Sequence, residues 1–206
     1  MILFLFLLIL VLCILYRIFC TLRGLRPGST IVVGNGPSLM GKGLGKVIDS
    51  HDNVIRVNMF KVKGYEHDVG SRTTGWHINE NLSMDRLRNI ISRENISPEW
   101  MGSRKIAKLS LYFPGIERYS FKTKVNGCRN FTSGTLAILH MLEKGYNPVY
   151  VAGISGTSGA YYFDTSQKTI DRNKKNIEKT HCENKEQQLM RQLVREGKIV
   201  SLDGGI

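Results

Sequence analysis

Acidic residues are scarce in this chain of 206 residues: 17 Asp plus Glu stand against 29 Lys plus Arg, a net charge of +12. The imbalance favours anionic partners such as phospholipid headgroups, nucleotide-sugar phosphates or nucleic acid. Nucleic acid lacks its second sign, because no aromatic residues are interleaved with the cations to form a stacking surface; no nucleic-acid partner is expected. Cysteine is equally sparse, with four in all. Cys13 and Cys20 sit in an apolar run, Cys128 and Cys182 in the remainder. No CxxC pair and no Cys/His cluster has zinc spacing, which excludes a zinc module. One bridge between Cys128 and Cys182 is possible, but nothing demands it. There is no internal repeat and no low-complexity segment.

The first residues are of a different kind from the rest. Met1 to Tyr16 carry no charged side chain and are almost wholly Leu, Ile, Phe and Val; after Arg17 the run continues from Ile18 to Leu22. A membrane span needs about 20 mostly apolar residues, and 1–22 reaches that length if Arg17 snorkels to the headgroups. A cleaved signal peptide fits less well, since no basic region precedes the run and no small-x-small site follows it. The expected organisation is a transmembrane anchor over 1–22, a short Gly/Pro joint over 23–29 and one domain over 30–206, long enough to bury a core.

Within that domain, compact apolar runs at Thr30–Val33, Asn53–Val57, Ile106–Phe113, Val149–Ala152 and Ile199–Leu202 read as buried strands. Helical patterns fall at roughly 79–93, 133–144 and 181–196. The Lys/Arg-rich stretch 168–185 reads as a solvated loop or a lid. Strands alternating with helices predict a mainly parallel, twisted sheet covered on both faces, with ligands at the carboxyl ends of the strands.

The residues with chemistry fall there. Val33-Gly34-Asn35-Gly36-Pro37-Ser38 ends the first strand in a turn that lets backbone approach a ligand, and Asn35 projects an amide from it. Asn58 ends the second strand. Phe131-Thr132-Ser133-Gly134 opens a helix; Thr132 or Ser133 is a good N-cap, and the free N–H groups behind it form an anion site. Gly153 ends the fourth strand. Tyr161-Tyr162-Phe163-Asp164 follows a Gly-rich loop. Thr180 and Glu183 form a capping-box pattern that would set His181 at the first helical position, where the dipole favours the neutral imidazole that a general base needs. Glu186 follows five residues on. Each of these alone is equally a turn, a cap or a core anchor.

Their order is more specific. Asn35 to Thr74, through Asp49, Arg56, Asn58, Asp68 and Arg72, resembles the large sialyl motif of glycosyltransferase family 29, the animal-type sialyltransferases. Phe131 to Ile154 is similar to the small motif, with Phe131 where Pro is usual. Tyr161 to Asp164 resembles the third motif, with Tyr161 where His is usual, and His181 with Glu186 resembles the very small motif. A fainter likeness to bacterial family 42 rests on the Gly-Asn-Gly-Pro-Ser and Thr-Ser-Gly turns. The family's bridge between large and small motifs is not expected, because Ile31 stands where its cysteine often lies.

The resemblance implies a single Rossmann-like α/β/α domain of GT-A type and inverting transfer of sialic acid from CMP-sialic acid to a glycan hydroxyl. In that reading His181, Glu186 and Tyr161 are catalytic, with His181 as base and Tyr161 stabilising the phosphate. Asn35, Asn58, Thr132, Ser133, Gly134, Gly153 and Tyr162 bind the donor. No cofactor or metal is expected, since no Asp-x-Asp triplet follows a strand. CMP-Kdo is the alternative donor, and a non-catalytic nucleotide- or glycan-binding protein the alternative class. The family implies a Golgi membrane protein with a lumenal domain. Arg17, Arg23 and Arg26 after the apolar run argue for a cytoplasmic domain instead, as in a bacterium. Asn81-Leu82-Ser83 and Asn130-Phe131-Thr132 are glycosylation sequons.

Overall fold

The computed structural model describes residues 27–79, 82–103, 116–118, 131–154 and 159–206, with Leu25, residues 6, 8–12, 14 and 15, and only the backbone at 118 and 178–180. The strand expected over 106–113, the sequon asparagines Asn81 and Asn130, and most of the expected anchor lie outside these residues. Residues 6, 8–12, 14 and 15 are helical and exposed. Among the described residues no helix is long and apolar enough to cross a membrane.

Among the described residues seven strands form one sheet in the order β5-β4-β3-β2-β1-β6-β7, and every neighbouring pair is parallel. They are β1 (Thr30–Val33), β2 (Asn53–Val57), β3 (Gly75–Ile78), β4 (Trp100–Ser103), β5 (Ile116–Arg118), β6 (Val149–Ala152) and β7 (Ile199–Ser201). The α helices are α1 (Gly45–Asp49), α2 (Glu66–Val69), α3 (Met84–Glu94), α4 (Ser133–Glu143), α5 (Gln167–Thr180) and α6 (Glu183–Arg195). The two central strands explain the apolar runs. Every residue of β1 and β2 is buried, as strands covered on both faces must be.

Alternation along the strands sorts the core. Val32, Ile55 and Val57 point to one face, where α4 and α6 supply Leu136, Met141, Leu189 and Leu193. Ile31, Val33 and Val54 point to the other, against Leu39, Ile48 and Val69. Trp76 and Ile78 continue that second face under Leu87 and Ile90 of α3. Each such side chain contributes about 1.5–3 kcal/mol on full burial. The result is a three-layer α/β/α domain, as expected.

Much of the stretch between β1 and β3 is scaffold. The guanidinium of Arg56 is buried; Nε donates to Thr73 Oγ1 at 2.9 Å, and Nη2 to the carbonyls of Val69 and Gly70 at 3.0 Å. Desolvation pulls its pKa below the usual arginine value. The Asp49 carboxylate receives the N–H groups of Ser71 and Arg72, and Arg72 Nη1 returns to the carbonyls of Asp49 and His51. Arg56 and Arg72 thus fasten the β2–β3 connection to the sheet.

One expectation fails. Residues 168–185 are not a loop: α5 fills 167–180 and α6 begins at Glu183, with Cys182 at its N-cap and no side-chain cap. His181 is therefore the C-cap of α5, its N–H bonded to the Ile177 carbonyl at 2.9 Å, and not the first residue of α6; Thr180 ends α5 and does not cap α6. The helix carries so few apolar residues that its periodicity is hidden.

Candidate active site

The chain leaves β1 toward β2 and leaves β6 toward β7, so the topological switch point lies between β1 and β6, where ligands bind in open α/β sheets. Two glycines let their ends meet. A Cβ on Gly34 would lie 2.2 Å from the Gly153 carbonyl oxygen. Gly153 itself has φ +70°, and a Cβ there would meet Leu39 Cδ1 at 2.5 Å. The Gly36 N–H donates to the Gly153 carbonyl at 2.8 Å. On the other side, the Asp203 carboxylate accepts from Gly153 N–H at 2.8 Å and from Ser38 Oγ at 2.5 Å.

Above this junction opens a cavity of about 290 Å³. Asn35, Asn58, Thr132, Ser133, Gly134, Gly153, Tyr161 and His181 all line it, although they come from four separate stretches of sequence. Tyr162 and Glu186 do not line it. Asn79, Asn173, Asn176 and Ile177 do, and sequence reading did not single them out.

The two strand-end amides offer opposite chemistry. Asn35 Nδ2 donates to the carbonyls of Val57 at 3.1 Å and Met59 at 2.8 Å. Both its hydrogens are spent, so it presents only Oδ1, which is buried and has no protein partner. An acceptor cannot stabilise a phosphate; it suits a ribose hydroxyl or a nucleobase amino group. Asn58 sits at φ +53°, and its Oδ1 accepts from Asn79 N–H at 2.7 Å, which leaves Nδ2 as the donor.

The N-terminus of α4 opens on the cavity and has the chemistry of an anion site. Thr132 is the N-cap, and its hydroxyl accepts from Thr135 N–H. The Ser133 and Gly134 N–H groups, first in the helix and without helical acceptors, belong to residues lining the cavity. Glu186, from the first turn of α6, holds this terminus from behind. Its carboxylate accepts from Thr132 N–H at 2.9 Å, from Thr135 Oγ1 at 2.6 Å and from the Thr132 hydroxyl. Glu186, expected to be catalytic, therefore fixes this helix end from behind and does not line the cavity.

Tyr161 stacks on Phe163 at 5.2 Å and is fixed by paired backbone bonds to Asp164. Tyr162 is a core anchor: its N–H donates to the Asn35 carbonyl and its hydroxyl bonds to Lys61 backbone, while burial raises its pKa. Tyr162, expected to bind the donor, does not line the cavity. Among the described residues, no Lys, Arg, Asp or Glu lines the cavity despite the +12 net charge, and no group of three Asp, Glu, His or Cys could hold a metal.

Cys182 is disulfide-bonded, and the other three cysteines lie outside the described residues.

Fold and cavity together define the class: a doubly wound α/β domain with a cavity at its switch point, lined by amides and a helix N-terminus. The particular resemblance is to glycosyltransferase family 29 (sialyltransferase), whose family model matches residues 26–99. A human CMP-N-acetylneuraminate-beta-1,4-galactoside alpha-2,3-sialyltransferase is 51% identical over 59 residues, 29% of this chain and 16% of that protein. Rat beta-galactoside alpha-2,6-sialyltransferase 2 is 30% identical over 122 residues, 57% of this chain and 23% of that protein. The chain thus spans less than a quarter of the length of these relatives. A mammalian sialyltransferase crystal structure with Gal-beta-1-3GalNAc-ortho-nitrophenol shares the fold, with a TM-score of 0.58 at 20% identity, over 85% of this chain and 69% of that one.

Proposed function

We propose that the protein transfers sialic acid from CMP-sialic acid to a hydroxyl of an acceptor glycan by a single inverting displacement. One observation carries this reading: residues of all four sialyl-like motifs line one cavity at the switch point, although the family model covers only the first of them. In this mechanism His181 removes the proton from the acceptor hydroxyl. The hydroxyl oxygen bonds to the anomeric carbon, the bond from that carbon to the phosphate oxygen breaks, and CMP departs with the electron pair. The N–H groups of Ser133 and Gly134 and the Tyr161 hydroxyl stabilise the charge gathering on the phosphate. Asn35 accepts from the nucleoside, and Asn58 donates to it. Glu186 holds the Thr132 turn in register, and no metal takes part.

Membrane attachment through residues 1–22 and a lumenal domain complete the proposal. The Cys182 disulfide supports an oxidising compartment, against the arginines that follow the apolar run.

The test is release of CMP by the full chain, in detergent and EDTA, from CMP-sialic acid and from CMP-Kdo, with a galactoside acceptor. Release from CMP-sialic acid, dependent on acceptor, is expected. Release only from CMP-Kdo, release only with added metal, or none from either donor contradicts the proposal.

A further inference from the structure

A buried carboxylate that belongs to none of the sialyl-like motifs holds both turns of the switch point. Asp203 stands two residues beyond the end of β7. β7 lies parallel to β6, so its carboxyl end comes up beside Gly153, the residue after β6. The Leu202 N–H extends the ladder to the Val151 carbonyl at 2.9 Å and fixes the approach. The Asp203 side chain is buried there. Its Oδ2 accepts from the Gly153 N–H at 2.8 Å and from Ser38 Oγ at 2.5 Å. Its Oδ1 lies 3.4 Å from Ser201 Oγ and from the Gly205 nitrogen. Ser38 follows β1 and Gly153 follows β6, so one oxygen ties the two halves of the sheet together where they part.

Those two turns carry part of the cavity lining. Gly34, Asn35 and Gly36 come from one, Gly153 and Ile154 from the other. Asp203 and Ser38 do not line the cavity, so the carboxylate acts on a ligand through the turns and not by contact. Gly153 has φ +70°, and its carbonyl takes the Gly36 N–H at 2.8 Å. With its own N–H held by Asp203, both polar groups of Gly153 are engaged. Glycines populate many backbone states when nothing holds them. Without the carboxylate, a buried N–H and a hydroxyl lose their acceptor, and the turns hold the binding arrangement only part of the time. Apparent affinity falls by that fraction, because each binding event must then order the turns.

We infer that Asp203 is a positioning residue for the nucleotide: it pre-organises the Asn35 and Gly153 turns for the CMP part of the donor, and so sets donor affinity and not the rate of the chemical step. This rests on the sialyl-transfer reading above. The experiment compares Asp203→Ala, Ser38→Ala and the double variant with the wild type, as full chains in detergent. Calorimetry gives the Kd for CMP; CMP release gives kcat and the KM values for CMP-sialic acid and a galactoside acceptor; urea gives the unfolding midpoint. Asp203→Ala is expected to raise the CMP Kd and the donor KM together about tenfold, as when the binding arrangement holds about a tenth of the free protein. Its kcat and acceptor KM are expected to change less than about twofold, the pattern of lost ground-state binding. Ser38→Ala removes one bond and leaves Gly153 held, so a rise of about threefold in both donor constants is expected. In the double variant Ser38 has no carboxylate left to lose, and the CMP Kd is expected to equal that of Asp203→Ala.

Ser38→Ala deletes a single half-buried hydroxyl, so it reads the clamp even where Asp203→Ala does not fold. A lower urea midpoint with CMP affinity unchanged in Ser38→Ala overturns the inference and leaves the cluster a structural one. So do losses that add in the double variant, or a fall in kcat with the donor KM unchanged. CMP binding by the wild type reports separately on the donor site: a chain that binds no CMP sinks the sialyl-transfer reading, and this inference with it.

Discussion

Glu186 and Thr132 lie 54 positions apart in sequence, yet the Glu186 carboxylate accepts both the backbone N–H and the hydroxyl of Thr132. A third bond from Thr135 Oγ1 completes its coordination. The pair joins the first turn of α6 to the first turn of α4. A buried carboxylate behind an anion site would repel a phosphate unless its charge were spread over donors, and three are supplied here.

The first prediction follows from that pair. Glu186→Ala leaves two hydroxyls and an N–H without their acceptor, and each unsatisfied buried group costs about 1–3 kcal/mol. The denaturation midpoint is expected to fall, and CMP affinity with it. Glu186→Gln retains one acceptor oxygen and is expected to lose less of both. Equal stability in all three proteins would remove Glu186 from the scaffold.

Asn35 and Asn58 separate by chemistry. Asn35→Ala frees the Val57 and Met59 carbonyls as well as losing an acceptor, so about 1–2 kcal/mol of stability is expected to go along with CMP affinity. Asn58→Gly keeps the positive φ available and removes only the side chain. It is expected to weaken CMP by about 1 kcal/mol with a smaller loss of stability. Calorimetric titration beside urea melts checks both. Unchanged CMP affinity in both variants would return these residues to turn capping.

Acid stability has a named source. His77 of β3 is buried against His140 and Trp100, and burial, then the His140 charge, lowers its pKa from 6.5 to about 3. The unfolded chain therefore binds this proton first, and stability falls as pH drops from 6.5 toward 3. Between about pH 7.5 and about pH 5 the loss is roughly 2 kcal/mol from His77 alone. Urea unfolding at the two pH values measures it, and His77→Asn is expected to flatten the dependence. An equal slope in the variant would assign the acid sensitivity elsewhere.

How legible all this was depended on the kind of signal. β1, β2 and β6 were readable because both faces are buried and their apolar runs are continuous. β3 and β4 were not: Gly75-Trp76-His77-Ile78 and Trp100-Met101-Gly102-Ser103 interrupt their runs with a buried histidine and a glycine. α5 was hidden for a different reason. Its inward stripe, Ile170, Asn173, Ile177, has helical spacing, but amides replace the apolar residues where the helix faces a cavity instead of a core. The site showed the same division. Motif order located eight of the lining residues, whereas Asn79, Asn173 and Asn176 carry no pattern of their own. Tyr162 and Glu186 belong to motifs yet do not line the cavity, because a motif gives membership, not direction.

The disulfide bears on compartment. Cys182 is expected to resist maleimide labelling in the denatured, unreduced protein and to react after reduction, when the chain is expressed through a eukaryotic secretory pathway. Full labelling without reductant would remove the support for a lumenal domain and leave the arginine asymmetry as the guide. Protection of a C-terminal tag from protease in sealed microsomes reads the same question independently.

The central claim is that His181, at the junction of α5 and α6, is the base of the transfer. His181→Ala removes a group needed only as the hydroxyl attacks, so its effect belongs in kcat. The direct measurement is kcat for the variant beside its Kd for CMP. The account predicts a fall of about 10²–10⁴-fold in kcat, with CMP affinity nearly unchanged. A kcat within threefold of wild type would contradict it.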